Sequence, residues 1–213
     1  MTTPPTEATE LHHIGVEAFG VRTAIAASSP ELLTRVEAIL PPCSSAIQPT
    51  PDDVHFVLRG RENGTYVVEH HEHHEGADAH GGSVSGSPDL QVALEVLGTR
   101  LRAYIALHAP GKIFVHAGVV GHRGRAIVLP GPSFTGKTTL VGELVRAGAA
   151  YYSDEFAVLD DNGLVHPYPK PLSIRTDGRA QTDHDPTGFG AVVGDSPLPI
   201  GLIAITALSL IHI

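Results

Sequence analysis

Tryptophan is missing from the sequence and cysteine nearly so: 213 residues contain one, Cys43. A single thiol cannot close a disulfide within the chain. A disulfide-stapled secreted scaffold is therefore excluded, and a reducing cytoplasm is the expected compartment. Cys43 follows Pro41-Pro42 in a loop-like stretch with no base marked beside it, so a reactive thiol is not expected. Basic residues are also scarce. Fourteen Lys and Arg face 23 Asp and Glu, for a formal net charge of −9. That balance argues against coating nucleic acid or an anionic membrane, both densely negative. It leaves room for a local cationic site. No apolar run reaches the ~20 residues of a membrane-spanning helix. The opening MTTPPTEATE lacks the basic and apolar regions of a signal peptide and reads as a disordered tail.

What is present alternates between strand and helix signals. Ile14–Ala26 is β-like. PELLTRVEAIL from Pro30 places Leu32, Leu33, Val36 and Leu40 on one helical face, behind Ser28 and Ser29 as caps and ahead of Pro41-Pro42 as a stop. Asp53–Arg59 and Thr65–Glu69 read as a hairpin around Gly60, Asn63 and Gly64. The polar, Gly-rich run after Glu69 marks a boundary, giving a tail and small α/β lobe over 1–86 and a second domain over 87–213. A helix is expected from Pro88 to about Leu107, capped by Ser87. Strands follow at Ile113–Val120 and Ala126–Leu129, then a helix over Thr138–Ala147, then strands at Phe156–Leu159 and from Leu164. Strand, loop, helix and strand in this order predict an α/β fold.

Between the strand AIVL and the helix TLVGELVRA lies GPSFTGKTT, Gly131 to Thr139, a full match to G-x-x-x-x-G-K-S/T. The chemistry needs these residue types. Gly131 and Gly136 let the backbone turn successive N–H groups inward onto phosphate oxygens, with Pro132, Ser133, Phe134 and Thr135 completing the loop. Lys137 supplies a cation for the β- and γ-phosphates, the Thr138 hydroxyl suits Mg²⁺, and the helix adds its positive N-terminal end beside Thr139. The loop is thus expected to bind a purine nucleoside triphosphate with Mg²⁺. A carboxylate near the metal is also needed. Asp154 and Glu155, seventeen and eighteen residues beyond Lys137, are the candidates.

His116 in FVHAGVV, the loop GPSFTGKTTL and Ser153-Asp154-Glu155 together resemble the HPr serine kinase/phosphorylase family and its relatives, the ATP-dependent phosphoenolpyruvate carboxykinases. The likeness covers Phe114 to about Arg175. It implies a P-loop domain of the HPr kinase/phosphoenolpyruvate carboxykinase type behind a small N-terminal lobe. It implies ATP and Mg²⁺ as cofactors, and transfer of the γ-phosphate to a hydroxyl, a serine, of a small protein or peptide partner. By the same resemblance Asp154 would take the hydroxyl proton, Glu155 would help hold Mg²⁺, and His116 would contact the γ-phosphate or the metal. Lys170 and Arg175 could reach the transferred phosphate. Members of those families often assemble, so a homo-oligomer is among the states the resemblance allows. Glu155 stands where the families carry a second Asp, and the downstream motif of the phosphorylase reaction is not found. The rival expectation is a nucleotide-binding switch or assembly module without efficient transfer. ATP versus GTP stays open, because base recognition lies outside the motif.

Three further features stand out. His70, His71, His73, His74 and His80, interleaved with Glu69, Glu72 and Glu75, offer metal-ligand types at no closed-site spacing, so a solvated extension is expected. His184 lies between Asp183 and Asp185 in a polar stretch expected to be a surface loop. Ile200–Thr206 looks like a core strand. The closing LSLIHI resembles translated adaptor sequence, so the second domain is expected to be cut short.

Overall fold

The computed structural model describes residues 10–71, 85–132, 135–176 and 180–205. They form a mixed α/β protein of two compact units, Met1–His108 and Ala109–Ile213. The division falls after the helix at residues 90–108, not at residue 86, because that helix packs on the first sheet. No helix among the described residues is long and apolar enough to cross a membrane.

The first unit contains β1 (His12–Ala18), β2 (Val21–Ala27), α1 (Pro30–Glu37), β3 (Ser45–Ile47), β4 (Val54–Gly60), β5 (Tyr66–His71), β6 (Ser85–Ser87) and α2 (Leu90–His108). The β-like stretch from Ile14 folds back at Phe19-Gly20, both at positive φ, and becomes the hairpin β1–β2. The sheet order is β3-β1-β2-β4-β5-β6, with β2 and β4 parallel across the α1 connection. Ser29 caps α1, its hydroxyl accepting from Leu32 N–H. At α2 the cap is Asp89, whose carboxylate accepts from Gln91 N–H at 2.8 Å, while Ser87 accepts from Asp89 itself. His70 belongs to β5, where its ring stacks on Phe56 at 4.5 Å and meets Tyr104 of α2 edge-on. His73, His74 and His80 lie outside the described residues.

The second unit contains β7 (Lys112–His122), β8 (Arg125–Pro130), α3 (Lys137–Arg146), β9 (Ala150–Ser153), β10 (Phe156–Asp160), β11 (Leu164–His166), β12 (Leu172–Thr176), β13 (Ala180–His184) and β14 (Leu198–Ile203), with a 3₁₀ turn at Pro186–Phe189. β7 organises it. Its C-terminal half pairs with β8 on one side and β9 on the other, and its N-terminal half pairs with β10. β10 pairs with β11, β11 with β14, and β14 runs parallel to β8. The pairing thus closes into a ring. Ala117, Val119, Ala126, Val128, Ala157 and Val165 cluster on one face of these strands. On the other face Val120 and Leu129 pack with Val141 and Val145 of α3. Burying a Val or Leu side chain fully contributes about 1.5–3 kcal/mol, so this second layer anchors α3.

Leu198–Ile203 forms a strand, but not the core strand that the apolar composition of this stretch suggests. Leu198 and Ile200 pack on the inner cluster, whereas Leu202 and Ile203 are 52% and 58% exposed. The register shifts between Ile200 and Leu202, which breaks the inward alternation beyond Ile200.

Candidate functional site

β8 delivers the chain to Gly131 and α3 receives it at Lys137. Gly136 caps the helix with φ 82°, a left-handed conformation that glycine adopts at low cost, and no side chain caps the first turn. The first-turn N–H groups therefore lack intrahelical acceptors and face the loop. The helix ends at Gly148 (φ 97°), where Gly148 N–H donates to Val145 and Ala149 N–H to Leu144. This is a Schellman closure, and it sends the chain into β9. Because β8 and β9 both run antiparallel to β7, the loop at the end of β8 and the acids at the end of β9 flank β7. At His116–Ala117 the two meet the strand directly. Gly131 N–H donates to the His116 carbonyl, and Ala117 N–H donates to the Glu155 carbonyl at 3.1 Å.

Side chains complete the convergence. Thr138 Oγ1 donates to Asp154 Oδ2 at 3.1 Å, across sixteen residues. Lys137 is 6% exposed, and its ammonium donates to the carbonyls of Gly131 (2.8 Å) and Pro132 (2.6 Å). Burial lowers the Lys137 pKa, and the negative charge of Asp154 partly opposes that. His116 is itself exposed, yet its ring is partly desolvated where it approaches Gly131. Desolvation, followed by the Lys137 ammonium, lowers its pKa, while Glu155 and a hydrogen bond to Gly131 pull the other way. Glu155 Oε2 sits 3.1 Å from Lys170 Nζ. Thr135 closes the loop from within, its hydroxyl donating to the Pro132 carbonyl at 3.0 Å.

The expected residues His116, Gly131, Lys137, Thr138, Asp154 and Glu155 are thus brought together. Pro132, Thr135 and Gly136 complete the described part of the loop. Thr139 is exposed. Ser133, Phe134 and the Arg175 side chain lie outside what is described. Ser153, named from sequence only as part of the run Ser153-Asp154-Glu155, and two tyrosines not singled out there also contribute. Ser153, fully buried, accepts from Glu155 N–H and Phe156 N–H and so shapes the turn that presents both acids. Its signal was legible, because a serine directly before two acids commonly bonds the backbone two or three residues on. The Tyr151 hydroxyl donates to the Lys170 carbonyl, and Tyr168 N–H donates to the Tyr152 carbonyl, which together fix the segment carrying Lys170. No local sequence pattern announces these two contacts.

The donors fit magnesium. A hydroxyl and carboxylates are hard oxygen ligands, and Mg²⁺ is commonly held by one or two carboxylates together with substrate phosphates. Among the described residues no group of three or more His, Cys, Asp or Glu side chains is placed to hold a metal ion by itself. No protein-family model matches the chain, and neither does any curated protein or solved structure.

Proposed function

We propose that the second unit is a P-loop domain of the HPr kinase/phosphoenolpyruvate carboxykinase type. In this reading it transfers the γ-phosphate of Mg·ATP to a hydroxyl, a serine, of a small protein or peptide. The observation that carries the proposal is the Thr138–Asp154 hydrogen bond. It joins the first turn after the loop to a carboxylate from the next strand, the pairing that a nucleotide-bound metal requires in P-loop proteins. Lys137 and the N–H groups of the α3 first turn would meet the phosphates. His116, beside Lys137 and Gly131, would border the γ-phosphate. Mg²⁺, held by Thr138 and the acids with the nucleotide, would neutralise charge on the phosphates. One acid of the 154–155 pair would take the hydroxyl proton.

Phosphoryl transfer asks a protein mainly for position and charge. The test is transfer of labelled γ-phosphate from Mg·ATP by the whole chain, alone and with bacterial extract. An acid-stable labelled protein band is expected, and it should fall by about 10²–10³-fold with Lys137→Ala, as when one preorganised charge donor is removed. Bound ATP with no labelled product would contradict the kinase and leave the nucleotide-binding module.

A further inference from the structure

The first unit separates two neighbouring histidines. β5 pairs antiparallel with β4, and successive residues of a strand belong to opposite faces of the sheet. His70 stands opposite Phe56. It belongs to the face that carries α2, where its ring stacks on Phe56 and meets Tyr104 edge-on. That histidine serves packing. His71 stands opposite His55 and belongs to the other face. These two are sixteen residues apart in the chain, and the strand register makes them neighbours.

Directly opposed residues of an antiparallel pair have Cβ atoms about 4.5–5.5 Å apart. Two imidazole nitrogens bound at about 2.0–2.1 Å to one tetrahedral ion lie about 3.4 Å apart, within the reach of two histidines so placed. The next residues of the row, Ala24 of β2 and Gly15 of β1, carry no ligating group. On the other side, β6 pairs with Tyr66–Val68 and stops short of His71, so the row ends there at the margin of the described sheet. Glu69 is two residues before His71 on the same face, but its carboxylate accepts from Arg59 Nε at 3.3 Å. It is already committed and is not counted as a ligand.

We infer that His55 and His71 form a cross-strand site for a divalent transition ion that prefers nitrogen ligands, Zn²⁺, Ni²⁺ or Cu²⁺. Imidazole suits these ions, whereas Mg²⁺ prefers oxygen. The two histidines supply one edge of the coordination sphere and water supplies the rest. Such a site is open and exchangeable, unlike a structural zinc site with four protein ligands. The bound ion ties β4 to β5 on the face away from α2. The site is independent of the Mg²⁺ site proposed for the second unit.

The experiment is calorimetric titration of the tag-free full chain with Zn²⁺ and with Ni²⁺, in excess Mg²⁺. Wild type should take up the ion saturably and should melt at a higher temperature with it than without it. His55→Gln and His71→Gln should each weaken uptake by about 10–100-fold or more, since even loss of a group that merely supports a ligand costs that much. The double variant should be little worse than either single one, because both changes remove one shared site. His71→Cys should recover the Zn²⁺ binding that His71→Gln loses, because thiolate also ligates zinc. A change that acted only by disturbing the sheet would not be rescued in this way. His73→Gln combined with His74→Gln should leave the affinity nearly unchanged. The inference is overturned if wild type takes up neither ion, or if His55→Gln binds as wild type does. It is also overturned if the His73→Gln, His74→Gln variant loses as much affinity as His55→Gln, because uptake would then belong to the histidine run itself.

Discussion

Thr138 concentrates the argument at the scale of a single residue. Its hydroxyl is a local feature of the motif, but its acceptor, Asp154, arrives from the next strand. Thr138→Ala should therefore cost only about 1 kcal/mol of stability, the net worth of one hydrogen bond. It should also weaken Mg²⁺-dependent ATP binding by about 10-fold or more. Thr138→Ser should retain both, as calorimetry and urea denaturation can check. His116 gives the pH dependence. Its pKa is held below the ordinary imidazole value of 6.5, mainly by desolvation and next by Lys137. A depressed folded-state value means that the unfolded chain binds the proton more readily. The stability associated with neutral His116 is present above the unfolded value and is lost as pH falls through the folded value. Thermal melts at pH 7.5 and pH 5 should accordingly differ more for wild type than for His116→Gln. Equal differences would remove His116 from the account.

At the scale of elements, α3 lies close on β7 because Gly118 has no side chain. A Cβ there would stand 2.6 Å from Val141 Cγ2. Gly118→Val should destabilise the protein by about 1–3 kcal/mol, as overpacking does, and should displace the helix that carries Lys137 and Thr138. Gly142, within α3, is the counterpart. Its added Cβ would meet nothing closer than Arg146 Nη1 at 3.8 Å, so Gly142→Ala should stabilise by about 0.5–1 kcal/mol. Urea midpoints of the two variants should move in opposite directions. The elements around the loop were readable from sequence because strand, glycine turn and amphipathic helix each leave a local signature. The ring was not. The apolar run of β7 says that it is a strand, but nothing local says that β8, β9 and β10 all pair with it. The Glu155–Lys170 pair was hidden for the same reason, with a hairpin between its members. At β14 the sequence misled, because an apolar run specifies a strand without specifying what covers it.

For the whole molecule, charge and partition matter most. The chain carries a formal charge of −9, so a polyanionic ligand meets general repulsion and must be captured locally. The Mg²⁺ complex of ATP, with part of its charge neutralised, suits such a surface better than free ATP does. Every residue assigned to the site belongs to the second unit, between His116 and Lys170, while the first unit has its own sheet and its own core. The resemblance read from the sequence covers the same stretch. Among the described residues, the first unit offers mainly folding signals.

The central claim is that the Gly131–Thr139 loop, with Asp154, binds a magnesium nucleotide. Titration calorimetry of the full chain with ATP, in Mg²⁺ and in EDTA, for wild type and Lys137→Ala, tests it most directly. The account predicts saturable binding that strengthens with Mg²⁺ and is lost, or weakened by about 10-fold or more, with Lys137→Ala, given the strength of charge-assisted contacts to phosphate. Absence of binding by wild type, or equal binding by Lys137→Ala, would contradict it.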